Sequence, residues 1–91
     1  MVTVTETLTL VNKVGLHARP AGMFVQTAAR FSAAIRVSCN GRVADAKRIL
    51  QVLQLGAERG AELRVEAEGD DAPEALVALA ALVRERFGEP E

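Results

Sequence analysis

The segment Glu62-Leu63-Arg64-Val65-Glu66-Ala67-Glu68 reads ELRVEAE. Leu63, Val65 and Ala67 alternate with four charged side chains. Successive residues of a strand point to opposite faces, so this is a strand with one dry face and one wet face. The opening MVTVTETLTL repeats the pattern. Val2, Val4, Leu8 and Leu10 fall on one side, Thr3, Thr5, Thr7 and Thr9 on the other, and Glu6 is the single break. Two strands that each want water on one side predict a sheet covered by helices on one face only.

The rest of the chain fills in around those strands. Ile35, Val37 and Cys39 alternate with Arg36 and Ser38, a second strand. Asn40-Gly41 follows at once and suits a tight hairpin turn with positive φ. Arg42 to Asp45 is then a short third strand. Ala21, Phe24, Val25, Ala28 and Phe31 keep helical spacing and mark a helix from about Ala18 to Arg30. Pro20 fits its first turn, where no backbone donor is needed. A short helix from Lys47 to Leu55 ends at Gly56, a left-handed cap. The last helix begins near Asp71, with Pro73 in its first turn and Glu74 placed as in a capping box. Leu76, Leu79, Val83 and Phe87 form its buried stripe. The order β-α-β-β-α-β-α predicts one α+β domain spanning residues 1–91.

Composition bounds the function. Of the 91 residues 49% are hydrophobic, enough for one packed core, which excludes disorder. Three Phe are the only aromatic residues, so that core is aliphatic. The formal net charge is −1, with basic and acidic residues interspersed, which argues against a nucleic-acid partner. One Cys and one His can make neither an intrachain disulfide nor a structural zinc site, and no metal is expected. No apolar run approaches the ~20 residues of a membrane span. The first ten residues lack the basic and apolar regions of a signal peptide, so a cytoplasmic protein is expected.

The one histidine lies in Gly15-Leu16-His17-Ala18-Arg19-Pro20-Ala21-Gly22, GLHARPAG, where strand pattern gives way to helix pattern. A helix start carries partial positive charge and unpaired N–H groups, and it favours a phosphate-like anion. The same field disfavours a second positive charge on a nearby ring and keeps a nitrogen nucleophilic. Arg19 adds a forked cation suited to phosphate oxygens. Pro20 fixes the entry angle, and Gly15 and Gly22 allow close approach on both sides. These parts suit a ring, open to solvent, that accepts a phosphoryl group and gives it up.

The run GLHARPAGMFVQTAARF resembles the active-site segment of the HPr family, histidine-containing phosphocarriers of the bacterial phosphoenolpyruvate:sugar phosphotransferase system. The likeness continues through Asn40-Gly41-Arg42 and Ala46 to Leu63 into the final helix. It implies an open-faced β-sandwich, a four-stranded antiparallel sheet with three helices on one face. It also implies the chemistry. Enzyme I would phosphorylate His17 on Nδ1, and His17 would pass the group to a sugar-specific enzyme IIA. Arg19 would neutralise it, with Ala18, Arg19 and Pro20 as the phosphate-binding set. The carrier would need no cofactor and would be a phosphotransfer intermediate, not a turnover enzyme. Many relatives carry a regulatory serine at the start of the second helix. Here Arg48 holds that position, so control through a phosphoserine is not expected. Arg48 adds positive potential near His17 or is a solvated first-turn residue; the sequence leaves both open. The other readings compatible with the chain are a regulatory docking module and a carrier in a dihydroxyacetone-kinase or nitrogen-related phosphorelay.

The second helix is apolar around most of its circumference. Val52 and Leu55 are expected to face the sheet, leaving Ile49, Leu50 and Leu53 partly exposed as a patch for protein partners. Met23 is either a rim contact beside His17 or a core filler. Cys39 is expected to face the core. Monomer is the expected state.

Overall fold

The structure, a computed structural model, describes residues 2–91. Its elements follow the expected order: β1 Thr3–Thr9, α1 Ala18–Ala29, β2 Ala34–Cys39, β3 Arg42–Asp45, α2 Ile49–Leu53, β4 Glu62–Glu68 and α3 Ala72–Arg84, with a final short 3-10 turn over Arg86–Gly88. The four strands make one antiparallel sheet in the order β1-β4-β2-β3.

Register explains the one-sided sheet. Leu8 pairs with Leu63, Val37 with both Val65 and Ala44, and Ile35 with Ala67. These residues are all buried under the helices, beside Cys39. Their neighbours in sequence form the open face, where Thr5, Glu66, Arg36 and Asp45 lie in one cross-strand row. Within that row the Arg36 guanidinium donates to Glu66 and holds its carboxyl below the usual range. The hairpin between β2 and β3 turns on Asn40 and Gly41, both at positive φ, as the Asn-Gly pair predicts.

The core is aliphatic apart from Phe24 of α1 and Phe87 beyond α3, both without solvent exposure. The stripe Leu76, Leu79, Val83 and Phe87 is buried as its spacing predicts. Of the residues that set the α1 pattern, Ala21, Phe24 and Ala28 are buried, while Val25 and Phe31 are partly buried against them.

Three expectations are corrected. The second helix starts at Ile49, not Lys47. Asp45 accepts the Lys47 N–H through its carboxylate at 2.9 Å and the Arg48 N–H through its carbonyl at 3.0 Å, which folds that stretch into a turn. Asp71 does not cap its own helix with its side chain. Its carboxylate instead accepts the backbone N–H groups of Ser32 and Ala33, each at 2.8 Å, and so pins the end of the α1–β2 connection to the start of α3. These amides hold the Asp71 carboxyl below the usual range. Finally, Gly22 faces open space, so it serves no close approach. Gly15 does: a Cβ there would sit 2.5 Å from the Ala57 carbonyl oxygen, and its φ of +66° is left-handed.

Candidate functional site

The loop from Leu10 to His17 is held at several points before α1 begins. Leu10 donates to Ala61 at 2.9 Å, and the buried Leu16 donates to Ala57 at 3.0 Å. Asn12 is fully buried and donates through Nδ2 to the Gly15 carbonyl at 2.8 Å, closing a turn. This packing fixes the residue that follows.

His17 is the N-cap of α1, with extended backbone (φ −74°, ψ −173°), and its side chain does not cap the helix. The first intrahelical bond runs from the Ala21 N–H to the His17 carbonyl at 2.9 Å. Pro20 has no N–H. The backbone donors of Ala18 and Arg19 therefore point out of the helix start, and among the described residues nothing accepts from them. Pro20, expected within the phosphate-binding set, contributes no donor; it is buried and fixes the first turn.

The imidazole is half-exposed, its side chain 41% accessible. Its Nε2 lies 2.9 Å from Glu89 Oε2. The same Glu89 oxygen accepts from Arg19 Nη1 at 3.3 Å, and Glu89 Oε1 accepts from Asn12 Nδ2 at 3.0 Å. Arg19 Nη1 also donates to the Phe87 carbonyl at 3.1 Å. The Asn12 amide and then the His17 ring hold the Glu89 carboxyl below the usual range, so it is ionised at neutral pH and accepts. Nε2 therefore donates the ring proton to Glu89, and in the neutral ring Nδ1 is the nitrogen with the free lone pair.

Asn12 and Glu89 are absent from the sequence-derived site. Glu89 reaches it because Arg86, Phe87 and Gly88 all have left-handed backbone, with φ of 57°, 54° and 75°. Such a turn is costly for two non-glycine residues. The complete burial of Phe87 holds it in place and turns the chain back toward α1.

The second helix has the two flanks expected of it. Val52 and Leu55 are buried, while Ile49 is 39% and Leu50 70% exposed and Leu53 is half-buried, as the helix pattern predicts. Met23 is half-buried and packs against the core. Arg48 is the N-cap of α2, and its sole ionic partner among the described residues is Asp45 at 3.7 Å.

The fold and site together define a small open-faced sandwich that presents a histidine, singly held at Nε2, at a helix start rich in free donors. Residues 4–85 match the family described as the PTS HPr component phosphorylation site, and the chain belongs to the HPr family of phosphotransferase-system phosphocarriers. The phosphocarrier protein HPr of Cupriavidus necator is 45% identical over 83 residues, 91% of this chain and 93% of that protein. Among solved structures, HPr-C-His from Thermoanaerobacter tengcongensis matches with a TM-score of 0.91 and 44% identity over all of both chains. An HPr dimer from the same organism matches with a TM-score of 0.77 and 45% identity, over 90% of this chain and 94% of that one.

Proposed function

We propose that His17 Nδ1 accepts a phosphoryl group from phospho-enzyme I and passes it to a sugar-specific enzyme IIA. In the first step the donor's P–N bond breaks as the Nδ1–P bond forms, and the ring proton stays on Nε2 against Glu89. The second step is the reverse at the acceptor. The observation that carries this reading is the division of labour on the ring: Nε2 is bonded to Glu89 at 2.9 Å, and Nδ1 is left as the nucleophile on the N-cap residue of a helix whose first N–H groups, Ala18 and Arg19, are unpaired.

Those amides and the Arg19 guanidinium are the charge-stabilising groups for the moving phosphoryl oxygens. Arg19 is held in the free protein by the Phe87 carbonyl and by the same Glu89 oxygen that the His17 ring meets. Ile49, Leu50 and Leu53, with Met23 and Arg48 at the margin, form the docking face for both partners. A carrier must leave each partner, and a small patch suits contacts of modest lifetime. The carrier acts in the cytoplasm as a monomer, and no serine at the start of α2 regulates it.

Incubation with enzyme I, Mg²⁺ and phosphoenolpyruvate should give one acid-labile, alkali-stable phosphate per chain. His17→Ala should abolish it with an unchanged melting temperature, and Arg19→Ala should slow transfer. Equal labelling of wild type and His17→Ala would remove His17 from the reaction.

A further inference from the structure

Helix α2 is too short to hold itself. It has five residues, and a helix of that length closes too few of its own bonds to be stable alone in water. Val52 and the Leu55 that follows are its buried anchors, while Leu50 stands 70% exposed. Two anchors at one end of a short helix act as a pivot. What fixes the direction of the exposed face lies outside the helix.

Strand β3 packs against α2 and is tied to it at both of the strand's ends. At Asp45 the backbone N–H donates to Gln51 Oε1 at 2.8 Å. At the other end Arg42 Nη1 donates to the Gln54 carbonyl at 2.6 Å, and Asn40 of the hairpin turn donates through Nδ2 to the Leu55 carbonyl at 3.3 Å. The last carbonyls of a helix have no partner of their own, so these side chains supply donors that α2 lacks.

Arg42 is exposed and has no ion-pair partner among the described residues. Its guanidinium is committed instead to the end of a neighbouring element. An exposed hydrogen bond adds little to a helix whose buried side is already packed. It does restrict tilt about the pivot. Released from Arg42, the end of α2 is free to swing, and Leu50 and Leu53 move with it.

We propose that Arg42 is a positioning residue for docking: through the Gln54 carbonyl it holds α2 in the pose that presents Ile49, Leu50 and Leu53 to enzyme I. This rests on the docking reading of α2 given above. A surface ordered beforehand loses less entropy when a partner arrives.

The test follows phosphorylation of the full chain by enzyme I, Mg²⁺ and phosphoenolpyruvate as the chain's concentration is varied. Arg42→Met keeps the aliphatic stem and removes the donor. It should raise KM about five-fold, the effect expected of one lost hydrogen bond, with kcat near wild type. Methyl resonances of Leu50 and Leu53 should shift in the free variant. Arg42→Gln, too short to reach the carbonyl but still polar, should give the same split if Arg42→Met proves unstable. Leu50→Ala should itself raise KM, and beside it Arg42→Met should add less than it does alone, because both act through one patch. The proposal is overturned if loss of the Arg42 donor leaves KM at the wild-type value. It is equally overturned if the loss is as large beside Leu50→Ala as alone, since Arg42 would then meet the partner directly. An unchanged KM for Leu50→Ala would instead bring down the docking reading, and this proposal with it.

Discussion

Helices α1 and α3 begin alike and are used differently. Each has proline in its first turn, at Pro20 and Pro73, and each lies near a carboxylate that is drawn below its usual range. At α3 the carboxylate is the N-cap residue itself, Asp71. It reaches outward and ties down the Ser32 and Ala33 amides of another segment. At α1 the N-cap is an imidazole, and the carboxylate, Glu89, is brought in from 72 residues away. The first arrangement spends its charge on holding two segments together. The second spends its charge on orienting a ring and leaves the helix donors of Ala18 and Arg19 unused. A helix start whose donors are unspent can serve an incoming anion; one that staples its neighbours serves the fold.

The largest expected effect tests whether the α1 start depends on its loop. Gly15→Ala forces a Cβ into the Ala57 carbonyl and a left-handed backbone on alanine. Thermal unfolding should show a loss of stability of several degrees or more, and the phosphorylation rate should fall with it. An unchanged rate in a destabilised variant would separate presentation of His17 from the packing of Leu16.

Asp71→Ala should come next, and it should move only stability. It leaves two amides without their acceptor, so the melting temperature should drop while the phosphate label on His17 forms at the wild-type rate. The pH dependence has a definite sign. The folded-state pKa of Asp71 lies below its unfolded value, so its stabilisation is present above the ordinary carboxylate range. It is lost as pH falls through the depressed value. The melting-temperature gap between wild type and Asp71→Ala should therefore be widest near neutrality and close in acid.

The smallest effect is expected at the tail. Glu89→Gln keeps one acceptor oxygen, enough for Asn12, but turns an amide NH2 toward His17 and removes the charge that selects the Nε2–H tautomer. It should change the melting temperature little and shift the His17 tautomer ratio, read by ¹⁵N chemical shifts of the imidazole. A ratio unchanged from wild type would show that Glu89 does not set the proton's position.

The fold was legible where periodicity is local. ELRVEAE and the Thr-rich start carry the side-to-side alternation in their own residues, and Asn40-Gly41 names its turn. The start of α2 was not legible, because Asp45 folds Lys47 and Arg48 into a turn by contacts that propensity does not report. That His17 and Arg19 stand at a helix start could be read from the switch of periodicity around them. Asn12 and Glu89 could not: they meet across 77 residues, through a left-handed turn in which Gly88 is the sole residue suited to its backbone. The burial of Phe87 holds that turn, and such burial is visible only once α3 is packed.

The bare side of the sheet gives the molecule a back. Side chains such as Thr5 and Arg64 stand on the surface opposite the helices, so dyes, spin probes or immobilising linkers attached there would leave the His17 ring and the Leu50 patch unobstructed. The buried thiol of Cys39 would stay silent during such labelling, so that an engineered cysteine on that surface reports alone.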